Sequence, residues 1–280
     1  MSGTLYVVAT PIGNLEDLSP RARQTLAAVD LIAAEDTRHT GRLLSHFGVK
    51  TRLLALHDHN EADRAGKVID ALQSGQSVAL VSDAGTPLIS DPGYRVVQAA
   101  HEAGIKVSPV PGPSALAAAL SVAGLPTDRF CFEGFLPAKR KARHDRLAAI
   151  AGESRTMVFY ESVHRVGDCI SDMVDVFGAD RPAGIGRELS KMHEQVQLAT
   201  LGQLRDQLVS GEITSKGEFV IVVAGAEEAG QSSLEVYALL KELAGNLPDR
   251  EVARIVSNVS GERKNDLYQR LLEIAALRSQ

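Results

Sequence analysis

The chain has no tryptophan and only two cysteines in 280 residues. Cys131 and Cys169 belong to no CxxC and no Cys/His cluster, which excludes the common structural zinc patterns. Both lie in apolar stretches and read as reduced core residues. Aromatics are only 4% of the chain, so stacking platforms for single-stranded nucleic acid are few. No apolar run reaches the roughly 18–20 residues of a membrane span. The N-terminus lacks the basic stretch of a signal peptide and enters a strand pattern at once. There is no GxxxxGK(S/T), no GxSxG and no HExxH, which excludes a P-loop, a nucleophile elbow and a zincin helix. A net charge of −5 gives no global pull toward a polyanion. The expectation is a cytoplasmic globular protein with no membrane segment, whose nucleic-acid contacts need a local basic patch.

What is present is an ordinary core composition, 44% hydrophobic with 24 glycines and 11 prolines. In the first half, short apolar runs alternate with helical spacing. Leu5–Ala9, Leu31–Ala34, Val78–Val81 and Val107–Val110 read as strands. Ser19-Pro20 reads as a helix start, and residues 60–74 and 91–104 read as helices. Strands buried on both faces and separated by helices predict a parallel α/β sheet.

The second half is predicted as mixed α+β. Its strands are Phe130–Phe132, Thr156–Tyr160, Ala183–Gly186 and Phe219–Val223. Glu194–Leu201 alternates with period two, which suits an antiparallel strand. After a small polar linker at 227–233, helical patterns cover Leu234–Leu243, Asp249–Val259 and Asn265–Leu277. Val252, Ile255, Val256 and Val259 are expected on one face, as are Leu267, Leu271 and Ile274. A turn at Ser260-Gly261 gives the outline of a helix-turn-helix. Residues 249–280 hold six Arg/Lys against five Asp/Glu, on a chain otherwise 24 against 30. The expected domains are 1–120, 121–228 and 229–280.

Three loops follow predicted strands, where parallel α/β sheets bind ligands. They are Thr10–Asp17, Ser82–Gly93 and Val110–Ala115. The second is twelve residues of turn formers and small side chains, longer than the usual ~2–6-residue βα connection. Ser114 is placed to cap an Ala-rich helix over 115–123. Charges cluster after other strands: Glu35-Asp36-Thr37-Arg38, Glu161 with Arg165, and Arg187-Glu188 with Lys191. Residues 139–146 hold five Lys/Arg in eight, either a solvated helix face or a phosphate-contacting patch. His57-Asp58-His59 with Glu61 and Asp63 lacks helical metal-ligand spacing and reads as a surface or substrate-facing loop.

Val8–Asp17, Ala34–Arg38, Ser82–Gly93 and Val110–Ala115 closely resemble the tetrapyrrole-methylase-like superfamily. Within it they are similar to the branch that methylates small-subunit ribosomal RNA. The likeness runs through Phe159–Arg165, Arg187–Lys191 and Lys216–Phe219 and covers essentially the whole chain. It implies a class III methyltransferase fold, with a parallel-sheet N-domain, a mixed-sheet second domain and a C-terminal helical extension. It implies S-adenosylmethionine as cofactor and 2′-O-methylation of a cytidine in the decoding region of that RNA. It also implies a homodimer. The resemblance places the cofactor against Pro11, Asp83, Ala84, Gly85, Thr86, Ile89, Ser114 and Ala115, and against Tyr160, Gly186 and Glu218. Members that methylate tetrapyrroles often carry a Gly-rich first loop and Gly-Asp-Pro in the second. Gly13 alone and Gly85-Thr86-Pro87 depart from that pattern and fit the RNA branch.

Methyl transfer to a ribose hydroxyl needs a proton acceptor or an oxyanion-stabilising cation. The candidates are Glu35, Asp36, Glu161 and Glu188 as bases, and Arg38, Arg165, Arg187 and Lys191 as cations; the sequence does not choose among them. Lys139, Arg140, Lys141, Arg143, Arg263 and Lys264 are the expected RNA contacts, on naked RNA or an assembled small subunit. The rival expectations are a tetrapyrrole C-methyltransferase and a non-catalytic RNA-binding module.

Overall fold

The computed structural model describes residues 2–57, 61–226, 233–260 and 263–278. The chain divides into two compact units, Met1–Gly225 and Ala226–Gln280.

The first unit holds two sheets. The first sheet comprises β1 (Thr4–Val8), β2 (Leu31–Ala34), β3 (Leu53–Ala55), β4 (Val78–Val81) and β5 (Lys106–Val110). All neighbours are parallel, in the order β3-β2-β4-β1-β5. β2 and β4 are wholly buried, which is why they read as unbroken apolar runs. The sheet packs with α1 (Pro20–Ala28), α2 (Thr37–His46), α3 (Glu61–Gln73) and α4 (Tyr94–Glu102), and α5 (Ala115–Val122) follows β5. Leu5, Leu72 and Leu80 fill the core on one side, and Val8, Leu26 and Ile32 fill it on the other. Each such side chain contributes about 1.5–3 kcal/mol of burial.

The Ser19 hydroxyl caps α1 by accepting the Ala22 amide, with Pro20 opening the helix. Ser114 does not do the same for α5, because its side chain makes no capping hydrogen bond. The Tyr160 hydroxyl instead accepts the Leu116 amide at 3.0 Å. β3 has no counterpart among the predicted strands; it is three half-buried residues at the sheet edge.

The second sheet comprises β6 (Phe130–Phe135), β7 (Thr156–Ser162), β8 (Pro182–Arg187), β9 (Gln195–Thr200) and β10 (Glu218–Val223). Its order is β6-β7-β10-β8-β9. β6 and β7 are parallel and the other pairs antiparallel. One face packs Met157, Phe159 and Ile221 against α7 (Val166–Phe177) and α8 (Leu201–Ser210). The other packs Val158, Val220 and Val222 against Ala119 and Ala123 beside α5. Gly184 allows this approach: a Cβ there would meet the Ala123 carbonyl oxygen at 3.4 Å. The basic run forms α6 (Arg140–Ala149) with Lys139 as its N-cap. Both cysteines are free; Cys169 is a core residue, while Cys131 is only half-buried.

Among the described residues, the second unit holds three helices, α9 (Ser233–Leu243), α10 (Asp249–Ser260) and α11 (Lys264–Arg278). Val236, Leu240, Val252, Ala253, Val256, Leu267, Leu271 and Ile274 form its core. Val259, expected on the buried face of α10, is exposed, and Ala253 takes the inward position at helical spacing. The linker at 227–232 and the turn residue Gly261 lie outside the described residues.

Candidate active site

The strand order sets β1 between β4 and β5, so the loops that follow these three strands emerge side by side. Thr10 and Gly85 exchange both backbone hydrogen bonds, at 2.8 and 3.0 Å. The Thr86 hydroxyl donates to the Pro113 carbonyl at 3.0 Å. All three predicted loops are therefore tied together. They form one wall of a cavity of about 360 Å³ whose other wall is the second sheet. That volume lies within the ordinary range of small-molecule sites.

Asp83, Ala84, Gly85, Thr86 and Ile89 line the cavity, as do Ser114 and Ala115. Tyr160, Gly186 and Glu218 line it from the second sheet. Pro11 is buried just before Ile12, and it is Ile12 that reaches the wall. Ser90, Asp91, Phe135, Ser162, Leu189 and Val220 also line it. Ser90 and Asp91 fall inside a loop already singled out by composition. Phe135 carries no local signal and is found only through its register opposite Tyr160.

The four non-glycine residues with positive φ among the described residues are Leu88, Ser90, Glu188 and Ser190. They occupy two segments, and both border the cavity. Backbone strain of this kind costs about 1–3 kcal/mol per residue and concentrates at functional sites.

At the end of β2, Asp83 Oδ1 accepts the Asp36 amide at 2.9 Å, and Glu35 Oε2 accepts the Asp83 amide at 3.4 Å. Glu35 lines the cavity. Asp36 does not; it caps α2 and pairs with Arg38 at 2.7 Å. The hydrogen bonds from Arg38 hold the Asp36 carboxyl well below the usual carboxylate range. The Arg38 side chain is 87% exposed, outside the cavity.

In the second sheet, register separates residues that are neighbours in sequence. Val220 lies between Tyr160 and Gly186 in one row, and Phe219 lies between Glu161 and Arg187 in the next. Successive side chains point to opposite faces. Val220 and Tyr160 pack on the α5 side, and Phe219 packs in the α7–α8 core. Arg187 is therefore turned behind the sheet, whereas Glu161, at the end of β7, still lines the cavity. The Glu161 side chain is fully shielded and meets Arg165 at 3.3 Å. Arg187 is buried and donates to the Lys216 and His193 carbonyls. The expectation that Arg187 acts on substrate is corrected accordingly, because it is buried, bonded to backbone carbonyls and absent from the cavity wall, whereas Glu161 lines it.

Lys191 reaches the cavity and donates to Glu188 at 2.8 Å and to Glu218 at 2.9 Å. Burial opposes both charges of the Lys191–Glu188 pair. Their mutual hydrogen bond, the hydrogen bonds each makes with Glu218 and the neighbouring charges together outweigh it, raising the lysine pKa and lowering the glutamate pKa. Glu188 is thus occupied in an ion pair and does not line the cavity.

Arg143 is also corrected. It is only 4% exposed and meets buried Asp172 at 2.6 Å, so RNA cannot reach it. Arg140 is exposed but paired with Asp172 and Asp175. Lys139 and Lys141 are exposed on α6, and Arg263 and Lys264 are exposed at the start of α11. His144, Asp172 and Asp175 bring possible ligand atoms within 4.8 Å, but two arginines already balance the charge of Asp172. In the 57–63 segment, Asp58 and His59 lie outside the described residues.

Residues 4–205 match the model of the Tetrapyrrole (Corrin/Porphyrin) Methylases. The chain belongs to the tetrapyrrole methylase family. Residues 230–275 of this methylase match a second model, the RsmI C-terminal HTH domain. A relative from Xylella fastidiosa is 54% identical over 95% of this chain and 98% of its own length. One from Pseudomonas aeruginosa is 52% identical over 97% and 98%. Both are named Ribosomal RNA small subunit methyltransferase I. Among solved structures, the methyltransferase CobJ superposes with a TM-score of 0.59 at 20% identity, over 80% of this methylase and 95% of CobJ. A Thermus thermophilus uroporphyrin-III C-methyltransferase complexed with S-adenosylhomocysteine gives 0.54 at 18%, over 79% and 97%. These structures share the methylase fold. No helix among the described residues is long and apolar enough to cross a membrane.

Proposed function

We propose that this methylase transfers the methyl group of S-adenosylmethionine to the 2′-oxygen of a cytidine ribose in small-subunit ribosomal RNA. The observation that carries the reading is the near-complete coverage at about half identity by relatives named for that RNA. The helical unit supports it, since it matches an HTH model that follows the methylase match. The working parts in this reading are residues 1–120, 121–228 and 229–280, acting in the cytoplasm where ribosomes are assembled.

The cavity suits the donor. Asp83 and Asp91 line it and match the positive charge of a sulfonium and an ammonium. Gly85, with φ of +82°, lets the loop backbone approach Ile12 closely. The donor supplies an electrophilic methyl carbon. The ribose oxygen attacks that carbon in line as the carbon–sulfur bond breaks, and the hydroxyl proton passes to a carboxylate. Holding the reacting atoms in line accounts for much of the rate. Of the four carboxylates considered, Glu161 lines the cavity but is fully shielded beside Arg165, Glu188 is held by Lys191, and Asp36 caps a helix. Glu35 lines the cavity and is assigned the proton. Lys139, Lys141, Arg263 and Lys264 contact RNA phosphates. Exposed Val122 and Val196 around one shallow hollow, with exposed Leu198 two residues further along β9, support a homodimer.

The test is nuclease digestion of small-subunit RNA after incubation with protein and donor, followed by mass spectrometry of the nucleosides. The expected product is one 2′-O-methylcytidine per subunit. A methyl group on a base, or on no nucleoside, contradicts the proposal.

A further inference from the structure

Phe135 ends β6, an edge strand, and lines the cavity. It is 56% exposed, in a chain whose aromatics are few. Its partner in register is Tyr160. The two rings meet nearly edge to face, with centroids 5.7 Å apart at 66°. Tyr160 meets Phe132 in the same manner at 4.8 Å, and the Leu116 amide fixes its hydroxyl. The support beneath Phe135 is therefore held at both ends.

The strand reaches this position through an irregularity. Its register shifts between Phe132 and Gly134, and Gly134 has φ of +65°. Such a bulge re-aims the residues that follow it. A Cβ on Gly134 would stand 3.2 Å from Ser90 Oγ, so the bulge seats the end of β6 against the strained 82–93 loop. The result is a fixed phenyl ring left in water at the rim of a binding cavity. Covering it with another flat ring removes apolar surface from water and adds aromatic contact.

We propose that Phe135 is the stacking surface for the nucleobase of the acceptor nucleotide. The inference rests on the function proposed above. Phe135 stands at the sheet edge, where a large partner approaches, and Tyr160, Val220 and Gly186 continue the same row inward. A base stacked at the rim fixes the rotation of its nucleotide and directs the attached ribose toward the cavity. The phenyl ring recognises a flat heterocycle by its face, without reading its hydrogen-bonding edge. Phe135 thus positions the acceptor and leaves the choice of base to other contacts.

The test compares full-length wild type, Phe135→Ala and Phe135→Trp. Each is titrated with S-adenosylhomocysteine by calorimetry and assayed for methyl transfer over a range of undermodified small subunits. Phe135→Ala is expected to raise the acceptor KM about tenfold, with melting temperature and S-adenosylhomocysteine Kd essentially unchanged. Phe135→Trp should restore the KM. An unchanged acceptor KM in Phe135→Ala overturns the inference. So does a tenfold loss of S-adenosylhomocysteine affinity, which would give the ring to the donor's adenine. In both cases an active wild type leaves the proposed function standing. A wild type that labels no ribosomal RNA overturns both.

Discussion

The methylene stem of Lys191 lies across the backbone of Gly13. A Cβ on Gly13 would stand 2.3 Å from Lys191 Cγ, and Gly13 has φ of +148°. Ser190 adds a hydrogen bond to Asp17. The loop after β1 and the turn after β8 are thus fitted to one another at the edge of the cavity. Gly13→Ala strains the backbone and displaces the lysine together. Its expected cost is about 1–3 kcal/mol, with weaker S-adenosylhomocysteine binding. Lys191→Ala relieves only the steric part, so a double-mutant cycle in urea should show coupling of at least about 0.5 kcal/mol. Strictly additive losses would contradict the fitted contact.

Glu35 and Glu161 both follow strands, yet their substitutions should behave differently. Glu35→Gln is expected to lower kcat by about 10²–10⁴-fold, while S-adenosylhomocysteine affinity stays within about twofold. Glu161→Gln removes the ion-pair partner of Arg165. It should lower the urea midpoint while the folded fraction keeps its kcat. Reversed phenotypes would return the proton to Glu161.

Asp172 ties α6 to α7 and sets an acid limit on stability. Burial alone would raise its pKa, but hydrogen bonds from Arg143, Arg140 and His144 outweigh it and hold the carboxyl below its ordinary value near 3.8. The folded state therefore binds fewer protons than the unfolded state in acid. This stabilisation is fully present above the unfolded value and is lost as pH falls through the lower folded one. Asp172→Asn leaves Arg143 buried without a counter-charge. It should cost about 3–5 kcal/mol at neutral pH and flatten the acid limb of the urea midpoint against pH. An acid limb matching wild type would exclude Asp172 as its source.

Strands with one dominant environment were legible in the sequence. β2 and β4 are apolar throughout because both faces are covered. β9 alternates because one side is open. β3 was not legible, since three residues at an edge have too little pattern to separate from a loop. The cavity loops stood out by length and by glycine and proline content. Facing is harder to read than position. Arg187 ends a strand as active residues do, but Gly186 beside it holds the inward face and Arg187 points the other way. Arg143 belongs to a basic run, and only Asp172, 29 residues away, reveals that it is buried. Phe135 depends on a bulge and a partner strand, neither visible in local sequence.

The most direct measurement of the central claim is the partition of one labelled methyl group. The protein is incubated with methyl-labelled S-adenosylmethionine and undermodified small ribosomal subunits, and in parallel with a reduced tetrapyrrole. The prediction is label in the ribosomal RNA alone, at one site, with the adjoining linkage resistant to alkali because its 2′-oxygen is methylated. Label in the tetrapyrrole and none in the RNA would contradict the RNA assignment while leaving the methylase cavity intact.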